Sequence, residues 1–170
     1  MWFSVGVRDL SDSVYRCPRQ RGEKQKLFIN DKEANKVLEL LKKFRDGKDL
    51  RPYQIGIVAP YAGQVLNIKD RLHRIDNTKS FQSVDVGTED GFQGREKDLI
   101  IVSITRANKH RSLGFVKDRR RMNVALTRAK RGVIVIGDKN MLENDSDGWR
   151  KWLHWVEKYR EKQHSRRRQR

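Results

Sequence analysis

Cysteine is almost missing from this sequence: Cys17 is the only one in 170 residues. A single thiol excludes an internal disulfide and any cysteine-rich zinc site. Histidine is sparse too, and His73, His110, His154 and His164 show no His-x-x-x-His or similar spacing, so no structural metal is expected. The longest apolar runs, near Ile100 and Val133, are strand-sized and far too short to span a bilayer. Met1 to Leu10 has neither the charged start nor the apolar core of a signal peptide. These absences point to an intracellular, reducing compartment, cytoplasmic or nuclear. No Gly-x-x-x-x-Gly-Lys-Ser/Thr loop occurs, and Gly47-Lys48-Asp49 is no substitute. No Asp-Glu pair follows a strand, and no Gly-x-Gly-x-x-Gly follows the first one, which disfavours a stand-alone Rossmann-type nucleotide enzyme.

Negative charge is also scarce. Asp and Glu number 22 against 39 Lys and Arg, a formal charge of +17. Such an excess calls for a polyanionic partner, and nucleic acid comes before membrane because no lipid-facing amphipathic segment accompanies the charge. Part of the excess sits at the end of the chain, where Arg160, Lys162, Arg166, Arg167, Arg168 and Arg170 face only Glu161. Hydrophobic and charged residues each make up 36%, a polar surface over a real core rather than a disordered composition. One domain over 1–160 and an unstructured basic tail over 161–170 are expected.

Taken in order, Trp2 to Val7 reads as a strand and Arg8 to Gln25 as a polar loop, with a short extension at Leu27 to Ile29. Asn30 opens a helix, with Glu33 completing a capping box and Ala34, Val37, Leu38, Leu41 and Phe44 as its buried stripe. Ile55 to Ala59 is a strand ended by Pro60. A helix over 63–73 and a strand over 84–86 come next. Leu99 to Ile104 is apolar on both faces, as a central parallel strand should be. Val133 to Gly137 is the last strand, and Trp149 to about Glu161 a terminal helix. Strands alternating with helices predict an α/β fold: an open parallel sheet with helices on both faces. Ligands bind such sheets beyond the carboxyl ends of the strands. Pro60-Tyr61, Thr88 to Glu96 and Thr105-Arg106 all follow strands, so they are expected along one edge.

The most informative stretch is Arg119 to Lys130. Read as a helix, it puts Met122, Ala125, Leu126 and Ala129 on one face, with Lys130 and Arg131 in its last turn and Gly132 past its end. Arg121 and Arg128, seven apart, project from nearly the same side. A guanidinium so near a buried face suits an anion site, because its planar fork binds phosphate oxygens bidentately. A plain basic surface helix is the alternative.

Three separated stretches resemble motifs IV, V and VI of superfamily 1 helicases: Ile55 to Gln64, Val84 to Asp98 and Arg120 to Lys130. The likeness is to the second RecA-like domain of the up-frameshift-like branch, in order and spacing, over roughly Trp2 to Trp155. It implies a RecA-like, P-loop NTPase-type fold and the finger-bearing half of an ATP-dependent translocase on single-stranded RNA or DNA. Arg128 matches the arginine finger that stabilises charge on a transferring phosphoryl group, an effect of about three to five powers of ten in rate. Glu96 matches the glutamate that accepts from the ribose hydroxyl, within the nucleotide-binding run Gln93-Gly94-Arg95-Glu96, where Gly94 allows close backbone approach. Its alternative is a solvent ion pair with Arg95 or Lys97.

Pro60, Tyr61 and Thr88 match positions on the nucleic-acid track, and Arg106 could join them. Tyr61 could equally be a ring half-buried at the sheet's end, and Thr88 a turn cap. Arg121 and Asn123 are expected to hold the finger helix in place. The resemblance implies ATP and Mg as cofactors, both held mainly by a first RecA-like domain that this sequence does not contain, so the chain alone is expected not to hydrolyse ATP. A truncated, non-catalytic nucleic-acid-binding module is the second reading.

Overall fold

A computed structural model describes residues 15–16, 28–48, 50–75, 80–105, 118–145 and 148–168. The strand expected at Trp2 to Val7 and the candidate Arg106 lie outside these residues. Tyr15–Arg16 (β1) pairs antiparallel with Phe28–Ile29 (β2). The main sheet is formed by Ile55–Val58 (β3), Asp85–Gly87 (β4), Lys97–Ser103 (β5) and Ala129–Ile136 (β6), in the order β4-β3-β5-β6 with every pairing parallel.

Both faces of this sheet are covered, as a parallel sheet requires. Alternate residues of each strand point to opposite sides. Ile57, Leu99, Ile101, Ile134 and Ile136 share one core with Asp31–Gly47 (α1) and Ala62–Ile75 (α2). Val58, Ile100, Val102, Val133 and Val135 share the other with Arg119–Thr127 (α3), Lys139–Glu143 (α4) and Trp149–Arg168 (α5). The expected stripe of α1 is found: Ala34, Val37, Leu38 and Leu41 are buried, and Phe44 packs at the margin.

Three local expectations need correcting. The capping box at α1 is half formed. Asn30 Oδ1 accepts from the Glu33 N–H at 3.1 Å, but the Asn30 N–H donates to Gln64 Oε1 at 2.8 Å. Glu33 is thereby released to turn into the protein. Second, α3 stops at Thr127, and Lys130, Arg131 and Gly132 belong to β6 rather than to a helix end. The ladder with β5 captures them: Lys97 pairs with Ala129 and Leu99 with Gly132, which leaves one extra residue on β6 as a bulge. Third, α5 continues to Arg168, so residues 161–168 are helical. Their Lys, Arg, Gln and Glu are good helix formers, with no Gly or Pro to stop them.

Candidate functional site

The topology sorts the candidate residues by a simple rule. In a parallel sheet every strand begins at the same edge, so residues just after a strand lie at the carboxyl edge and residues just before one lie at the amino edge. Pro60 and Tyr61 follow β3 and Thr88 follows β4, so all three sit at the carboxyl edge. Glu96 precedes β5 and Arg128 precedes β6, which puts both at the amino edge. The expected shared edge is therefore found for Pro60, Tyr61, Thr88 and Thr105 and not for Glu96, because the Thr88 to Glu96 stretch runs from one edge to the other. The seven residues of β5 separate the two groups by roughly 20 Å.

At the carboxyl edge, β3 hands the chain to α2 on one face while α3 and α5 cover the other. Tyr61 is half-buried there, packed on the core and tilted against Phe28 with 4.9 Å between ring centroids. Thr88 Oγ1 accepts a long bond from the Gly91 N–H at 3.4 Å, a turn-cap geometry. Sequence reasoning missed what braces this edge. Glu33, fully buried, accepts from the Ser103 hydroxyl at 2.7 Å, the Thr105 N–H at 2.8 Å and Asn30 Nδ2 at 3.2 Å. Gln64 Nε2 donates to Ser103 Oγ and to the Asn30 carbonyl, each at 3.0 Å.

This network clamps the end of β5 to the starts of α1 and α2. Thr105 adopts φ of 69°, a left-handed conformation that costs a β-branched residue on the order of 1–3 kcal/mol and persists only where its surroundings enforce it. Burial pushes the Glu33 carboxyl up to about 8, against the opposing pull of the Ser103 and Thr105 bonds. The signal available in sequence was a Glu at the third position of a cap, which reads as local.

From Thr88 the chain crosses the sheet to reach the amino edge. Phe92, buried in a short 3-10 turn over Asp90–Phe92, packs over Gly56 and Gly87, where a Cβ would meet its ring at 2.8 and 3.3 Å. Glu89, at the start of this connector, is buried and its carboxyl is raised by desolvation, with Arg121 opposing. Arg121 also faces Asp118 at 3.8 Å. Gly94 takes φ of 78°, a conformation glycine adopts without strain. Gln93 and Glu96 are exposed. The ion partner of Glu96 is Lys130, at 3.7 Å, whereas Arg95 and Lys97 reach Asp85 instead.

Arg128 caps the end of α3, and its carbonyl accepts from the Lys97 N–H at 3.0 Å, which sets it beside Glu96 in the sheet. Its Nη2 donates to Thr127 Oγ1 at 3.2 Å, and that hydroxyl donates on to the Asn123 carbonyl at 2.7 Å. The Asn123 contribution is thus its backbone carbonyl, while Thr127 makes the direct contact with the Arg128 side chain. Arg128 Nε is buried with no hydrogen-bond partner among the described residues. A buried guanidinium N–H left without a partner is costly. Among the described residues no group of His, Cys, Asp or Glu is arranged to hold a metal ion, and no helix is long and apolar enough to cross a membrane.

A four-stranded parallel sheet in the order β4-β3-β5-β6, covered by helices on both faces, is a RecA-like α/β domain of the P-loop NTPase kind. The chain belongs to the AAA domain family, whose profile matches residues 8–140, and within it to the up-frameshift-like branch of superfamily 1 helicases. It is 42% identical over 120 residues to Regulator of nonsense transcripts 1 of Dictyostelium discoideum, covering 69% of this chain. It is 42% identical to ATP-dependent helicase upf1 of Schizosaccharomyces pombe and 40% identical to ATP-dependent helicase NAM7 of Saccharomyces cerevisiae, each over 79% of the chain. These matches span only 9% of the first relative and 14% of the other two.

Proposed function

We propose that this chain is the second RecA-like half of an ATP-dependent helicase, supplying an arginine finger at its amino edge and part of a single-strand track at its carboxyl edge. The observation that carries the reading is the buried Nε of Arg128, unpartnered among the described residues and held beside Glu96 and Lys130. ATP bound between this chain and a first RecA-like domain supplies the phosphoryl group, and magnesium would be held by that other domain. Arg128 then places its fork against the developing charge, already oriented by Thr127. Glu96, exposed and paired only across 3.7 Å, is able to exchange Lys130 for a ribose hydroxyl.

Pro60, Tyr61 and Thr88 offer a half-exposed, braced surface to phosphates and bases. One connector, Thr88 to Glu96, joins the two edges, so movement at the nucleotide reaches the track through Phe92 packed on the sheet.

The test adds a first RecA-like domain of a relative in trans, or uses the full-length protein, and measures ATP turnover beside ATP binding. Arg128→Ala should lower turnover by about three to five powers of ten while leaving nucleotide affinity within a few-fold. Equal losses of both would remove the finger role. Strong single-strand binding with no Arg128-dependent ATPase in any pairing would favour the non-catalytic module instead.

A further inference from the structure

On its outward side α5 displays aromatic surface that core packing does not account for. Its buried side is Trp149, Leu153 and Val156, with Trp152 alongside. Trp155 stands off that side and leaves 48% of its surface in solvent. Its ring stacks on Tyr159, with 5.6 Å between centroids and 24° between planes. Lys151, Trp155, Lys158 and Lys162 fall at i, i+4, i+7 and i+11, a single stripe along a helix, and all are exposed. The nearby acids Glu157 and Glu161 project from a different flank, and Glu157 is engaged by Lys139 at 2.8 Å. The stripe is therefore cationic and aromatic with no carboxylate in it.

We propose that this stripe is a stacking platform for single-stranded nucleic acid, distinct from the carboxyl-edge track. Lys151, Lys158 and Lys162 hold phosphates and Trp155, braced from behind by Tyr159, takes the face of a base. The two elements of the stripe match the two elements of a strand. Phosphates recur along it and meet the lysines, while every base has a flat π-face for the indole, whatever its identity. An acidic protein surface would satisfy the lysines but has no repeated planar group to lay on the ring pair. A duplex hides its base faces inside the stack. The net charge of +17 supplies the long-range attraction.

The platform is tested on the chain itself with a labelled short oligothymidylate, an abasic strand of equal length and a duplex. Trp155→Ala should weaken oligothymidylate binding by about 5- to 100-fold, the range for loss of one stacked base, with Trp155→Phe recovering most of it. The abasic strand and the duplex should bind the wild type and Trp155→Ala alike. Changing Lys151, Lys158 and Lys162 to glutamine should flatten the salt dependence by about two. Ultraviolet crosslinking of a bromouridine-substituted strand to the unaltered chain should map to Trp155 or Tyr159, which reads the site even where a variant folds poorly. Unchanged affinity of Trp155→Ala, an equal loss on the abasic strand, or crosslinks confined to other residues would each overturn the platform. Arg128→Ala should leave all these readouts unmoved, so the platform and the ATPase reading stand or fall separately.

Discussion

Glu33 shows how one side chain can set the condition of a whole sheet edge. Its carboxyl receives bonds from Ser103, Thr105 and Asn30 and has no cation among these hydrogen-bonding partners, so desolvation outweighs the bonds that favour its charge. With a folded value near 8 and an ordinary value of 4.5, the folded state holds a proton that the unfolded chain releases. The resulting stabilisation is complete below the ordinary value and is lost as pH climbs towards 8, a total on the order of a few kcal/mol. Urea unfolding should therefore show stability falling between about pH 5 and pH 8. Glu33→Gln, which cannot titrate, should flatten that slope; an equally steep slope in the variant would assign the loss to another group. In the sequence, Asn30 and Glu33 look like a reciprocal cap. Only Gln64, 34 residues away, taking the Asn30 N–H reveals that Glu33 serves β5 instead.

At the level of elements, the connector between β4 and β5 depends on what β3 lacks. A Cβ on Gly56 would come within 2.8 Å of Phe92 and 2.7 Å of Ile100, both fully buried. Gly56→Ala should thus cost about 1–3 kcal/mol by overpacking, read as a lower urea midpoint with unchanged steepness. Because Phe92 lies between Thr88 and Glu96, the same change in a complete helicase is expected to weaken the dependence of ATPase on single strands. Strand identities were readable from apolar runs, since β3 and β5 are buried on both sides. Helix α4 was not, being only five residues long, too short to show a period. The end of α3 was misread for a related reason: Lys130 and Arg131 resemble a helix's last turn until β5 pairs with them.

For the whole molecule, charge and helix meet at the C-terminus. Residues 161–170 carry five basic residues and one acid, and among the described side chains of α5 the last buried one is Val156. Deleting them should leave the unfolding transition in place, remove helical signal for residues 161–168, and lower single-strand affinity with a shallower salt dependence, by up to about three. A shifted transition would show that this segment packs on the domain.

Composition, periodicity and three motif stretches were enough for the alternating elements, the two-sided parallel sheet and the helicase branch, because each is written within a few residues of chain. Tertiary structure decided where those motifs lie relative to one another: Arg128 with Glu96 at the amino edge, and Thr88 with Tyr61 at the other. It also decided that Glu33 reaches Ser103, 70 residues on. Strand direction and long-range pairing set these relations, and neither is carried by local pattern.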